Sequence, residues 1–259
     1  MNIFQGDIDD LRYAKYLIEN QTFADRIMKV IGVPFEIAFN KLPVSYHSKI
    51  HKITHKALKL GLDAAVSTIE EDITGDSSDS FHKWCIAATG FAGGALGFFS
   101  LTVELPLSTV IMLRSIADIA RSEGENLSNI ETRLSCLEVF AFGSKSNAKD
   151  EVDTSYYAVR AALAKIISEA SEFIIERGVT QKGVPIILRL ISQIASRFDI
   201  LVSQKAVAMT TPVVGAITGA TINTIFMNHF QNMARGHFII RRLERHYGKD
   251  EIQLAYESI

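Results

Sequence analysis

The sequence predicts an all-α protein: a single multi-helix bundle with a central pair of glycine-rich apolar helices. Three observations carry this reading. Apolar residues recur at helical spacing through most of the 259 residues. Strand-like alternation is nearly absent. The two longest uncharged stretches are both dense in small residues, which permit close helix approach. Hydrophobic residues make up 47% of the chain and charged residues 22%, enough apolar material for a large core. The chain reads as one domain, 1–259, with its core at about 11–248.

Taken in order, residues 7–31 read as an amphipathic helix with Leu11, Ala14, Leu17 and Ile18 on one face, ended by Gly32 and Pro34. Residues 46–73 read as a second long helix. Pro106 suits the first turn of a helix running to Gly124, with Val110, Leu113, Ala117 and Ala120 inward. Ser128 and Glu131 form a capping box ahead of RLSCLEVFAF, which Gly143 stops. Asp153 or Thr154 caps SYYAVRAALAKIISEASEFIIER, closed by Gly178. Pro185 opens the next helix, whose Ile187, Leu190, Ile191, Ile194 and Phe198 form an apolar stripe. The last helix covers about 222–247 and ends at Gly248. Two polar stretches, 75–80 and 143–153, read as loops, and 143–153 is the candidate mobile one.

The main signal lies in the uncharged runs. Residues 84–103 carry no charge between Lys83 and Glu104, and a helix of that length would span roughly 30 Å, the thickness of a bilayer core. Residues 206–234 lie between Lys205 and Arg235 with His229 as their only titratable side chain. Gly90/Gly94 and Gly93/Gly97 in the first run, and Gly215/Gly219 in the second, have GxxxG spacing. Interior helical glycine costs about 0.8–1 kcal/mol against alanine. These six glycines are therefore the candidate helix-packing residues, facing one another at a close crossing. Two settings fit: a hairpin that inserts in or dips into a membrane, or a buried central pair in a soluble bundle. The threonines and asparagines of the second run, Asn223 among them, favour the latter.

Charge narrows the function. With 27 Lys+Arg against 29 Asp+Glu the net charge is −2, which excludes a generic nucleic-acid binder. Mean hydropathy is +0.15. Cys85 and Cys136 make no disulfide framework and no metal spacing, as expected of a reducing compartment. The opening MNIFQGDIDDLRYAKYLIEN carries acids where a secretory leader would carry bases. Asn2 excludes myristoylation, and the final YESI holds no cysteine for prenylation. Membrane contact is therefore expected from internal segments. Arg235, Arg241, Arg242 and Arg245, interleaved with apolar residues, are the candidate membrane-surface set.

Chemistry-bearing residues are few. His47, His51 and His55 share a helical stripe and make a weak metal candidate, without an intervening carboxylate and beside repelling lysines. Glu104, Arg114, Asp118 and Asn223 are candidate buried polar residues. Glu104 lies two residues before Pro106, where a helix N-terminus favours a carboxylate that water or backbone donors can reach, which points to a structural role. GFAGGALG lacks both the spacing and the preceding strand of a nucleotide-binding loop. No catalytic residues, metal or cofactor are expected.

On the residues 90–127, 133–143 and 194–248 the chain resembles the EcsC family. The shared features are the glycine-rich run leading into an acid–Leu–Pro, the helix closed by glycine, and the Pro-Val-Val-Gly-Ala run leading to Asn223. Glu104 stands where many relatives have Asp. The likeness covers about Leu11 to Gly248. It implies membrane association and brings no catalytic residues, because the family is named for a neighbour of a bacterial ABC transporter and not for a reaction. The expectation is a non-enzymatic helical protein on the cytoplasmic side of the inner membrane, peripheral or partly inserted. Membrane lipid, and a membrane-protein partner, would be its contacts. The rival is a soluble intracellular bundle holding an apolar ligand or a partner protein.

Overall fold

The computed structural model describes residues 3–19, 23–31, 44–67, 101–144, 155–178, 184–210 and 219–259. Among these the protein is all-α, with no strand. The helices are α1 (Gln5–Glu19), α2 (Phe23–Ile31), α3 (Val44–Ser67), α4 (Leu101–Ser122), α5 (Ile130–Glu138), α6 (Tyr156–Arg177), α7 (Pro185–Thr210), α8 (Gly219–Tyr247) and α9 (Lys249–Ser258), with a 3₁₀ turn at Val139–Ala141.

The expected helix over 7–31 is two helices. α1 lies on α8, whereas α2 packs on α7 as well as α8, a change of partner that one straight helix could not make. Leu11 and Ala14 of α1 are fully buried, as their spacing predicts. They meet α8 at Gly236, where an added Cβ would come within 2.9 Å of the Ala14 carbonyl and 2.7 Å of the Ile18 side chain. Only the missing side chain lets the two backbones approach this closely.

Pro106 is not in a first turn: α4 already begins at Leu101, so the ring sits inside the helix. It removes one backbone N–H, but the continuous buried stripe through Leu101, Leu105, Met112, Leu113, Ile116 and Ala120 holds the helix against α3 and α8. The cap of α5 is Asn129 rather than Ser128. Its side chain accepts the Glu131 N–H at 2.9 Å, while the Ser128 N–H is taken by Asn126 in the preceding turn. The α6 cap is Ser155, whose hydroxyl accepts the Ala158 N–H at 3.3 Å. Asp153 and Thr154 lie outside the described residues. Gly143, Gly178 and Gly248 end their helices with positive φ of 74°, 70° and 96°. Beyond Gly248 the chain forms α9, which the sequence reading omitted. It docks through buried Ile252 and Tyr256, spaced i, i+4, and the Lys15 ammonium of α1 donates to the Tyr256 carbonyl at 2.8 Å.

The core is one cluster, centred on Phe140, Phe198, Phe226 and Phe230, whose ring centroids are 5.0–6.0 Å apart. α3 packs on α4 and α7, α6 packs on α5 and α7, and α8 crosses α1 and α4. The buried Arg133 of α5 reaches the end of α3 and donates to the Val66 carbonyl at 2.9 Å, so α5 closes the C-terminus of that helix.

Candidate functional sites: a closed ion pair and an open cleft

Among the described residues, two groups of buried charge pair acid with base across this core. The first joins α4 to α7. The Lys205 ammonium donates to Glu104 Oε1 at 2.6 Å, with side-chain exposures of 0% and 4%. The ammonium also lies 4.8 Å from the Phe226 ring centroid. Burial pulls the Lys205 pKa below its ordinary value and the Glu104 charge opposes that pull. The expected surroundings of Glu104 are corrected in part: it does stand in the first turn of α4, but its partner is a buried ammonium 101 positions along the chain rather than water. Glu104 and Lys205 are also the charges that bound the two uncharged runs. Their contact brings the last charge-free position of the first run near the start of the second, whose Ile222, Phe226 and Phe230 on α8 are buried in the core. Val103, 75% exposed, and Leu107, 49% exposed, lie on the outer face of α4 at that same end.

The second group surrounds a cleft of about 220 Å³ between α5, α6, α8 and α9. Arg160 of α6 forms a two-pronged pair with Glu244 of α8 at 2.6 and 2.7 Å, and its guanidinium stands 5.3 Å from the Tyr156 ring centroid. Arg241 of α8 donates to both oxygens of Glu125 at 2.8 and 3.2 Å and to the Ser135 hydroxyl at 3.3 Å. Burial raises the Glu125 pKa, but the hydrogen bonds and charge of Arg241, joined by Arg245, outweigh it and hold the group below its ordinary value.

Glu138, the last residue of α5, lines this cleft and is 4% exposed. Its carboxyl receives no hydrogen bond among the described residues. The nearest ring nitrogen, His237 Nε2, is 4.0 Å away and is itself without a hydrogen-bond partner, while His237 Nδ1 lies 2.9 Å from the Tyr156 hydroxyl. Burial raises Glu138 to about 7 against the opposing charges of Arg160 and Arg241. Burial and the same two cations hold His237 well below its ordinary value, so the imidazole is neutral.

The remaining sequence candidates are placed as follows. Asn223 is buried on α8, but Arg114 is exposed and Asp118 only half-buried, because both lie on the outer side of α4. Asp118 pairs with Arg121 at 3.4 Å, so no site gathers Glu104, Arg114 and Asp118. Among the described residues no three His, Cys, Asp or Glu side chains converge to hold a metal. His51 instead meets Asp199 of α7 at 2.6 Å and packs edge-on to His55, with ring centroids 4.3 Å apart, while His47 is exposed. Arg242 bridges Glu123 and Asp10 at 2.8 and 2.7 Å, Arg245 reaches Glu125 and the Glu123 carbonyl, and Arg235 is half-buried. Gly219 opens α8, whereas Gly90, Gly93, Gly94, Gly97 and Gly215 lie outside the described residues, as does Cys85. The stretch 75–80 is likewise outside them, as is 143–153 beyond Ser144.

Lys205, Glu138, Arg160, His237 and Glu244 were not singled out from the sequence. One usable signal was the spacing of His237, Arg241 and Glu244 at i, i+4 and i+7, which puts three titratable side chains on one stripe of an otherwise apolar helix.

This architecture defines an all-α bundle with one sealed and one open charge cluster, and no described helix is long and apolar enough to cross a membrane. The chain belongs to the EcsC protein family, whose model matches residues 11–243. Comparison with curated proteins and with solved structures finds no match.

Proposed function

We propose that this EcsC protein is a non-enzymatic, membrane-associated helical protein, an accessory to membrane transport or lipid handling on the cytoplasmic face of the inner membrane. The observation that carries the reading is the outward-facing Val103 and Leu107 of α4, on either side of Glu104, the charge that ends the first uncharged run. Exposed apolar side chains on an otherwise polar helix face suit contact with a lipid surface. Arg241, Arg242 and Arg245 of α8 are held in intramolecular pairs, so apolar burial is assigned the larger share of binding and these three a salt-sensitive remainder.

Sedimentation with anionic vesicles tests this. The wild type should pellet with vesicles at low salt and in part at high salt. The variant with Val103→Glu and Leu107→Glu should stay largely in the supernatant while keeping its helical circular-dichroism spectrum. Wild-type protein that stays in the supernatant under both conditions would instead favour the soluble bundle holding an apolar ligand or a partner protein.

A further inference from the structure

The open cleft has more hydrogen-bond donors than the protein satisfies. Glu244 and Glu125 balance much of the charge of Arg160 and Arg241, but they use only part of each guanidinium's N–H groups. Lys249 of α9 adds an ammonium and Gln253 an amide that is only partly used by Glu257, whereas the Ser135 hydroxyl already donates to the Glu131 carbonyl at 3.0 Å. On the acceptor side stand the exposed Glu131 and the carboxyl of Glu138. Glu138 is the unusual member: nearly wholly buried, free of hydrogen bonds among the described residues, and part of the cleft wall. Its carboxyl faces the cleft with no protein partner among the described residues, so a ligand seated there can pair with it.

The nature of the missing partner follows from its neighbours. The acids Glu131, Glu138 and Glu244 do not converge to hold a metal, and a cation placed against Glu138 would also meet Arg160 and Arg241. An apolar group would leave Glu138 and the spare guanidinium donors unsatisfied. An oxyanion accepts from all of them, provided Glu138 carries its proton and donates. A volume near 220 Å³ suits one such group with a few attached atoms.

We propose that this cleft is a binding site for a small oxyanion, a carboxylate or a phosphoryl or sulfuryl group, with the Glu138 carboxyl donating from the floor and Arg160, Arg241 and Lys249 donating from the walls and mouth. The site takes the anion only when Glu138 is protonated. The groups acting on that proton are Arg160 and Tyr156 from α6, and His237, Arg241 and Glu244 from α8. Glu131 stands on its own helix, Glu125 in the preceding turn and Lys249 on α9. With Glu138 titrating at about 7, the competent fraction falls about tenfold from pH 6 to pH 8, and the apparent affinity falls with it. Glu138→Gln replaces the acid by an amide that donates at either pH.

Calorimetric titration with sulfate, which stays ionised throughout this range, provides the test, with chloride at equal ionic strength as the control. The proposal expects saturable sulfate binding to the wild type that weakens about tenfold from pH 6 to pH 8, and pH-independent binding to Glu138→Gln. Absence of saturable binding to both proteins at both pH values would overturn it, and so would an unchanged pH dependence in Glu138→Gln. Vesicles of phosphatidylcholine with phosphatidic acid identify the natural source. If saturating sulfate, unlike chloride, displaces the protein from them, the cleft reads a lipid headgroup. If it does not, while calorimetry shows the site, the cleft serves a free oxyanion. Either result leaves the oxyanion site standing, and neither depends on the apolar end of α4.

Discussion

Glu104–Lys205 and the Glu138 cleft place acids and bases in the same core under opposite conditions. The first is a single pair, sealed between α4, α7 and Phe226, in which the Lys205 ammonium meets Glu104 Oε1 at 2.6 Å while Oε2 is buried without a hydrogen bond among the described residues. The second is a chain of pairs, Arg160–Glu244 and Arg241–Glu125, that open onto a cleft, with the Glu138 carboxyl on its wall hydrogen-bonded by no described residue and 4.0 Å from His237 Nε2. A sealed pair fixes where two helices meet and offers a ligand nothing. An open cluster with one unanswered group remains able to bind. The difference is why the first is assigned to architecture and the second to recognition.

The largest effect is expected at the sealed pair. Lys205→Met removes the ammonium and strands the Glu104 carboxylate in an apolar interior, a loss of about 3–5 kcal/mol. Urea unfolding measures it, and adding Glu104→Gln to the same protein should recover most of the loss. A single variant that costs less than about 1 kcal/mol would show that water reaches Glu104 and would erase the distinction between the two regions.

A smaller effect is expected in the cleft. Arg160→Gln deprives Glu244 of its two-pronged partner, but that carboxylate borders the opening and can be rehydrated from it. The expected cost is about 1.5–3 kcal/mol by the same unfolding measurement. A cost equal to that of Lys205→Met would mean the cleft is as dry as the sealed pair.

Much of the fold was legible in the sequence because helix faces and helix ends are local. The stripe Leu190, Ile191, Ile194 and Phe198 faces inward as its spacing requires, and Gly143, Gly178 and Gly248 take the left-handed conformations that stop helices. Caps slipped by one residue where two capable side chains adjoin, as at Ser128 and Asn129. The break between α1 and α2 was missed because the apolar period does not record a change of partner. The sites were far less legible. Glu104 and Lys205 were visible as the ends of two uncharged runs, but no local rule joins residues 101 positions apart. Glu138 reads in sequence as one acid at the end of an apolar turn. Its importance appears only when α6 and α8 bring Arg160, His237 and Arg241 around it. The close glycine crossing seen among the described residues is Gly236 against Ala14, a lone glycine outside any GxxxG spacing.

The central claim is that Glu138 is a buried carboxyl left open for a ligand, and the pH dependence of stability tests it most directly. Burial raises its folded pKa to about 7, above the unfolded value near 4.3, so the folded chain holds this proton more tightly than the unfolded chain. Its stabilising contribution is complete below about pH 4 and is lost as pH rises through 7. The neutral buried His229 and His237 act in the opposite sense, losing stability as pH falls below the ordinary histidine range, and they are shared by both proteins compared. Unfolding free energies of the wild type and Glu138→Gln, measured from pH 5 to pH 8 without added oxyanion, should therefore diverge. The account predicts that the wild type loses roughly 3 kcal/mol relative to the variant over the titration of Glu138. Two curves that run parallel across this range would contradict it.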